Sequence, residues 1–443
     1  MQTPQLSIAY YGDDFTGSTD ALEFLSRAGL QTMLFFEVPT KETLEQFPHL
    51  QAIGIAGRTR ALGKEAMKEE LQTAFDALAK LQTKHVHYKV CSTFDSSPEI
   101  GNIGLVLELG LAQFKNQWTP ILVAAPSLGR YSVFGNLFAR MGIGSDGHIH
   151  RLDRHPSMSK HPVTPADEAD LRLHLGRQTS VEIGLLDILQ VEAGGLVKAQ
   201  AEQVSAGKKA LFIDAINENH LLIIGKFLEE KALEQNQTLF SIGSSGIEMA
   251  LGSYWNQQGV FSPKNTWQAL TKVDTLLVIS GSCSPVTSAQ IDWAKQHDFI
   301  EIIVDAPLLA QEELSENILQ SYIDQAITYI ENGNSVMIHT QGGLQESIPL
   351  SSEKLGSALG LIAKKVIEST HLPRLLIAGG DTSSYAARAL EIEALEMIAP
   401  VVKGAPLCRV YSSNEAINGL EVNVKGGQVG AANYFGLVRG DLA

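Results

Sequence analysis

The sequence predicts an α/β protein: two α/β domains with largely parallel sheets and an interdomain active-site cleft. Three observations carry that prediction. Short runs of consecutive apolar residues recur along the chain, segments of helical periodicity separate them, and the series is interrupted once and then resumes. Apolar runs without alternation suit strands buried on both faces, as in a parallel sheet covered by helices.

The elements follow in order. Leu6 to Tyr11 reads as a strand, and Ala21, Phe24, Leu25 and Ala28 then share one helical face. Gly29 stops that helix and Gln31 to Glu37 forms the next strand, which completes a β-α-β unit. Further strands are expected at Ala52–Ala56, His85–Val90, Ile121–Ala125 and Ala210–Asp214, with a helix from Lys64 to Leu81. Between Arg140 and Pro165 the texture becomes polar. His148, His150, Arg151, Asp153, Arg154, His155, Lys160 and His161 crowd into a segment with three prolines. It reads as a long loop that carries a site, an interface or a solvated link. Trp255 and Trp267 flank a Gln-, Gly- and Pro-containing stretch that marks the domain boundary. The domains are therefore expected at 1–262 and 263–443. A second series of strands follows at Thr275–Ser280, Phe299–Ala306, Ser335–Thr340 and Arg374–Ala378.

Composition narrows the function. The 443 residues are 44% hydrophobic and 19% charged, a globular balance, with a formal net charge of −15. That charge disfavours nonspecific binding to nucleic acid or to anionic membrane, while leaving room for a local basic pocket. Cys91, Cys283 and Cys408 lie far apart and form neither a zinc spacing nor a disulfide framework. A reducing cytoplasm is the expected location. No leader-like segment opens the sequence, and no apolar run reaches the length of a membrane helix. A homo-oligomer is left open.

The first candidate site is Gly12-Asp13-Asp14-Phe15-Thr16-Gly17, where the first strand meets its helix. Open parallel sheets bind ligands at this edge. Asp13 and Asp14 suit hydrogen bonding to a polyol, and a carboxylate there could orient or deprotonate a hydroxyl. An Asp-rich helix cap is the bland alternative. Arg58 and Arg60 follow the third strand, and Lys89 precedes Cys91-Ser92-Thr93. Arginine clamps a carboxylate with two parallel hydrogen bonds, whereas lysine supplies a less directional charge. Structural salt bridges are the alternative for each.

The second candidate site has three glycine- or serine-rich turns. They are Ser280-Gly281-Ser282-Cys283-Ser284-Pro285, Ala378-Gly379-Gly380-Asp381-Thr382 and Lys425-Gly426-Gly427-Gln428-Val429-Gly430. Such turns expose amides to an anion, and a helix N-terminus strengthens the field. Neither GxxxxGK[ST] nor a strand-anchored GxGxxG is present, so neither an ordinary P-loop enzyme nor a dinucleotide dehydrogenase gains direct support. The histidines of the polar segment lack a standard zinc spacing, and no protein metal site is assigned. On the residues alone, a phosphotransferase ranks above a NAD-dependent sugar-acid dehydrogenase and above a non-catalytic sugar-acid-binding protein.

With these motifs in this order, the chain resembles the four-carbon acid sugar kinase family over nearly its whole length. The anchors are Gly12–Gly17 with Asp20, Lys89–Thr93, Ser280–Pro285, Gly379–Thr382 and Lys425–Gly430. The resemblance implies an N-terminal substrate domain and a C-terminal nucleotide domain. It also implies transfer of the γ-phosphoryl group of ATP, with Mg2+, to a hydroxyl of a small sugar acid such as 3-oxo-tetronate, threonate or erythronate. By resemblance, Asp13, Asp14, Arg58, Lys89, Ser92 and Thr93 meet the acid. Ser282, Gly379, Gly380, Asp381, Thr382, Lys425 and Gly427 meet the nucleotide. Asp14 is the preferred acceptor-orienting residue and Asp381 the competing catalytic candidate. Common members continue the Ser-Thr pair with Leu-Arg-Gly-Asn, whereas this chain runs Phe94-Asp95-Ser96-Ser97-Pro98-Glu99-Ile100-Gly101-Asn102. That departure points to a branched or altered acid, of which 3-oxo-isoapionate is an example.

Overall fold

Uninterrupted apolar runs become strands buried along their whole length. In the computed structural model, which describes residues 5–141, 147–161, 163–235, 237–282, 284–311, 316–340 and 351–441, the chain forms two compact units. The first comprises Met1–Met33 and Glu37–Asn265, and the second Leu34–Phe36 and Thr266–Ala443. The short piece Leu34–Phe36 thus groups with the second unit, a feature that composition does not signal.

The strands before Thr266 are β1 (Ile8–Gly12), β2 (Thr32–Phe35), β3 (Ala52–Ala56), β4 (His85–Lys89), β5 (Thr119–Leu122), β6 (Arg130–Val133), β7 (Asn136–Arg140), β8 (Ile149–Arg151), β9 (Ile183–Leu186), β10 (Ala210–Ile213) and β11 (Leu239–Gly243), of which β2 has its last two residues in the second unit. The main sheet has the order β2-β3-β1-β4-β11-β5-β10-β9. The pairings from β3 through to β9 are parallel. Strands β1, β3, β4 and β11 are buried at every residue, as two covered faces require. The chain places β3 on one side of β1 and β4 on the other, so the switch in strand order falls between β1 and β4. Loops that leave the carboxyl ends of strands at such a point diverge and leave a crevice.

The described residues of the polar segment after Arg140 include regular structure where a long loop was expected. β6, β7 and β8 form a separate antiparallel sheet, and two 3-10 turns follow at Leu152–Arg154 and Met158–Lys160. Histidines tie the turns together. His155 Nδ1 accepts from the amides of Ser157 and Met158, both at 3.3 Å, and His161 Nδ1 accepts from the Thr164 amide at 3.1 Å.

The second unit contains β12 (Leu277–Ser280), β13 (Phe299–Val304), β14 (Ser335–Thr340), β15 (Arg374–Ala378), β16 (Ala394–Val402), β17 (Ala405–Tyr411) and β18 (Glu421–Lys425). Their order is β13-β14-β12-β15-β18-β17-β16. The first five strands in that order run parallel, while β17 pairs antiparallel with both β16 and β18. Here the switch falls between β12 and β15. In register, Ser280 lies beside Ala378 and Ala378 beside Lys425, so three strand ends reach the same edge together. Beneath that edge, Val278, Met337, Leu376 and Phe435 belong to one buried cluster. No helix among the described residues is long and apolar enough to cross a membrane.

Candidate active site

The helix Phe15–Arg27 begins directly after β1, and its start explains the paired aspartates. Asp14 is its N-cap: Oδ1 accepts from the Gly17 amide at 2.9 Å, and Oδ2 accepts from the Thr16 hydroxyl at 2.6 Å. Oδ2 also takes an ion pair from Arg60 Nη2. Gly17 is required here, because a Cβ would lie 2.5 Å from Asp14 Oδ1 and 3.3 Å from Lys89 Nζ. Burial alone would push the Asp14 carboxyl up. Arg60, the Thr16 hydroxyl, Lys89 and the Gly17 amide together hold it below the ordinary carboxylate range.

Asp13 differs from its neighbour. Its backbone is fixed by a 2.8 Å hydrogen bond from its amide to the Lys89 carbonyl, which ties the ends of β1 and β4. Its side chain is 2% exposed, and Oδ1 has no hydrogen-bond partner. Burial, reinforced by Asp14 and Asp95, pushes its carboxyl up to about 7 against the pull of Arg60 and Lys89. Two adjacent carboxylates are thereby driven apart in acidity, one committed to structure and one left to titrate near neutrality.

Lys89 is fully buried, with Nζ 3.7 Å from Asp20 Oδ2 and 3.1 Å from the Val90 carbonyl. Burial would lower its pKa, but Asp20, Asp13, Glu248 and Asp14 outweigh it and keep the ammonium charged. Asp20 in turn accepts from the Ser245 hydroxyl, just past β11. Behind it, His87 Nδ1 meets Glu248 Oε1 at 2.6 Å, with both residues fully buried. Past Lys89, Cys91 Sγ and Thr93 Oγ1 lie 3.0 Å apart, and burial together with Asp95 lifts the Cys91 thiol to about 12. That thiol is not a nucleophile at neutral pH.

In the second unit the three turns converge. An added Cβ at Gly427 would meet Ser282 Oγ at 2.9 Å and Ser284 Cβ at 3.1 Å. One at Gly379 would meet Thr382 Oγ1 at 2.5 Å and the Ser282 amide at 3.9 Å. The side chains of Ser282, Ser284 and Thr382 therefore pack against the glycine backbone, and neither Gly379 nor Gly427 has room for a Cβ. Two helices start at this edge. Pro285–Lys295 is capped by Ser284, whose Oγ accepts from the Val286 amide at 3.2 Å, and Asp381–Ala389 begins after Gly380 without a side-chain cap. Their N-termini aim amide dipoles at the turns. Lys425, fully buried, donates from Nζ to Thr287 Oγ1 at 3.0 Å. Burial alone lowers its pKa to about 8.

The structure thus brings Asp13, Asp14, Lys89 and Thr93 into one neighbourhood with Ser92 beside them in the chain. It brings Ser282, Gly379, Gly380, Thr382, Lys425 and Gly427 into another. Arg58 stands apart: Nε pairs with Glu70 Oε2 at 3.1 Å and its side chain is 42% exposed. Arg60, two residues on, is the arginine beside the aspartates. The backbone of Asp381 opens its helix, but its side chain lies outside the described residues, as does Cys283. Among the described residues, no group of three His, Cys, Asp or Glu side chains is arranged to hold a metal ion. Residues the motifs did not single out are Asp95, Glu248, Ser245 and Arg130.

Two family models match the chain. A family model described as a sugar-binding N-terminal domain covers residues 8–251, and one described as a nucleotide-binding C-terminal domain covers residues 277–435. The chain belongs to the four-carbon acid sugar kinase family and is an ATP-dependent sugar-acid kinase. Among its relatives is the 3-oxo-isoapionate kinase of Paraburkholderia graminis, 38% identical over 98% of this chain and 94% of that protein. A 3-oxo-tetronate kinase of Salmonella typhimurium is 27% identical over 97% of this chain and 98% of that protein. A solved structure from Salmonella typhimurium LT2 matches with a TM-score of 0.77 at 25% identity, over 98% of each chain. A solved Haemophilus influenzae protein, 22% identical over 98% of this chain and all of that one, shares the fold with a TM-score of 0.70.

Proposed function

We propose that the chain transfers the γ-phosphoryl group of ATP to a hydroxyl of a branched sugar acid, with 3-oxo-isoapionate as the leading acceptor. The observation that carries this reading is Asp13: a buried carboxyl with one unpartnered oxygen, titrating near 7, at the switch point of a parallel sheet. A base for a hydroxyl proton works best with a pKa near the working pH. Asp14, with both oxygens engaged, holds Arg60 and the helix start in place and so positions Asp13. Lys89 balances the acidic pair. The second unit's amides and Lys425 take the phosphates, whose developing charge is what phosphoryl transfer chiefly needs stabilised.

Mg2+ accompanies the nucleotide in this reading. It prefers hard oxygen ligands, keeps several waters and takes much of its coordination from phosphate. The hydroxyls of Ser282 and Thr382 and the turn beginning at Asp381 supply that chemistry. The identity to the 3-oxo-isoapionate kinase, over nearly the whole length, and the Phe94–Asn102 departure favour that acid over the linear ones.

A panel of 3-oxo-isoapionate, 3-oxo-tetronate, threonate and erythronate with MgATP tests it, reading ADP release and product mass together. The expected result is a phosphorylated product, formed fastest from 3-oxo-isoapionate. ADP release without a phosphorylated acid would sink the kinase assignment, and a linear acid turned over fastest would sink the substrate.

A further inference from the structure

Buried charges in folded proteins are paired, because an isolated ion loses its hydration without compensation. Arg130 breaks that pattern. It opens β6 directly after the turn Pro126–Leu128, is 6% exposed, and has no carboxylate within ion-pair distance among the described residues. Its backbone is pinned by reciprocal hydrogen bonds with Ala125, at 3.0 and 3.2 Å. Nη1 donates to the carbonyls of Leu128 at 3.1 Å, Gly129 at 3.4 Å and Arg140 at 3.2 Å. These bonds orient the guanidinium and leave its charge unneutralised. Nε, fully enclosed, has no partner.

The surroundings of Arg130 are those of the acceptor site. Asp95 and Asp20 act on it electrostatically, and Asp95 acts likewise on Asp13 and Cys91. Asp95 Oδ1 and Asp20 Oδ1 are likewise enclosed and unpartnered. The other two cations of this cluster are already committed, Arg60 to Asp14 and Lys89 to Asp20.

Resting on the sugar-acid kinase reading, we propose that Arg130 is the residue that binds the carboxylate of the acceptor acid. A carboxylate neutralises the guanidinium, and a fixed guanidinium plane gives that contact direction. The carboxylate end is then set at β6, which leaves the hydroxylated end for Asp13.

The test compares the acid turned over fastest in the panel with its primary amide, which keeps the shape and loses the charge. The wild type should bind and phosphorylate the acid much better than the amide. Arg130→Gln should raise KM for the acid about 100-fold, the loss of a buried charge-assisted pair, while KM for ATP moves little. Its preference for acid over amide should disappear, and Arg130→Lys should recover part of it. A merely structural arginine would weaken acid and amide alike, so an unchanged acid-to-amide ratio in Arg130→Gln overturns the proposal. If the wild type phosphorylates no acid, the kinase reading fails, and calorimetric binding of 3-oxo-isoapionate to wild type and Arg130→Gln still decides the arginine: equal affinities overturn it.

Discussion

The two halves of this chain use the same device, a switch point in a parallel sheet, to opposite electrostatic ends. In the first unit the crevice is crowded with buried charge: Asp13, Asp14 and Asp20 face Arg60 and Lys89. In the second, among the described side chains, one buried lysine stands over glycine turns and helix N-termini. A ligand with several hydroxyls needs many directional partners, and opposing charges hold those partners rigid. A polyphosphate needs a positive field and close backbone approach, which amides provide without bulk.

That contrast is broken most sharply at Asp13. Asp13→Asn should cut kcat by about 100- to 1000-fold, the usual scale for a general base, with KM for ATP nearly unchanged. In the wild type, kcat/KM for the acid should rise with pH through about 7 as Asp13 loses its proton, and the variant should lack that step. Stability adds a second signature. A carboxyl with its folded pKa raised from 3.8 to about 7 binds a proton in the native state that the unfolded chain has lost. Stability therefore falls as pH rises through that window. Asp13→Asn should melt higher than wild type at pH 8 and lose the advantage at pH 4, read by thermal denaturation.

The next effect belongs to Lys425. Lys425→Met should lower kcat/KM for ATP by about 100-fold and leave affinity for the acid intact, measured by calorimetry with each ligand separately. Because its ammonium titrates at about 8, KM for ATP should climb at alkaline pH in the wild type only. Native-state burial disfavours the charged form, so this lysine costs stability below about pH 8, and the variant should melt no lower than wild type at pH 7.

Smaller still is the effect at Gly427. A methyl there meets Ser282 Oγ and Ser284 Cβ inside van der Waals contact, so the turns must part by a few tenths of an ångström. Gly427→Ala should raise KM for ATP about 10-fold and spare the acid, the scale of a slight misplacement in an amide cradle. The smallest effect separates the neighbouring arginines. Arg58→Ala removes an exposed pair with Glu70 and should leave kcat and both KM values within about two-fold. Arg60→Ala should cost far more in kcat, because it unseats Asp14.

Much of this was legible in the sequence for one physical reason. Strands buried on both faces must be apolar throughout, and β3, β14 and β15 run just where their apolar stretches do. The strand predicted over Ile121–Ala125 instead occupies Thr119–Leu122, since the chain turns at Pro126 to begin the small antiparallel sheet. Strands β9 and β11 are not among the expected strands, because segments of four or five residues are too short to show a period. The glycine turns and the Asp13-Asp14 pair announce themselves, since such residues at strand ends have few structural uses. Which of Arg58 and Arg60 faces the aspartates was not legible, because the 3-10 turn Thr59–Ala61 decides it. No motif marks Arg130 in the sequence, and the carbonyls of Leu128, Gly129 and Arg140 hold it inside.

The grouping of Leu34–Phe36 with the later half of the chain bears on how the protein is made. The Phe36 amide bonds the Glu393 carbonyl at 3.0 Å, and Arg388 reaches the Phe36 carbonyl at 3.3 Å. On the ribosome this segment emerges early and must wait until nearly the whole chain is synthesised before its partners appear. The second unit therefore closes a very long loop to finish folding, and a gene cut between the units would yield a C-terminal fragment lacking a piece of its own sheet.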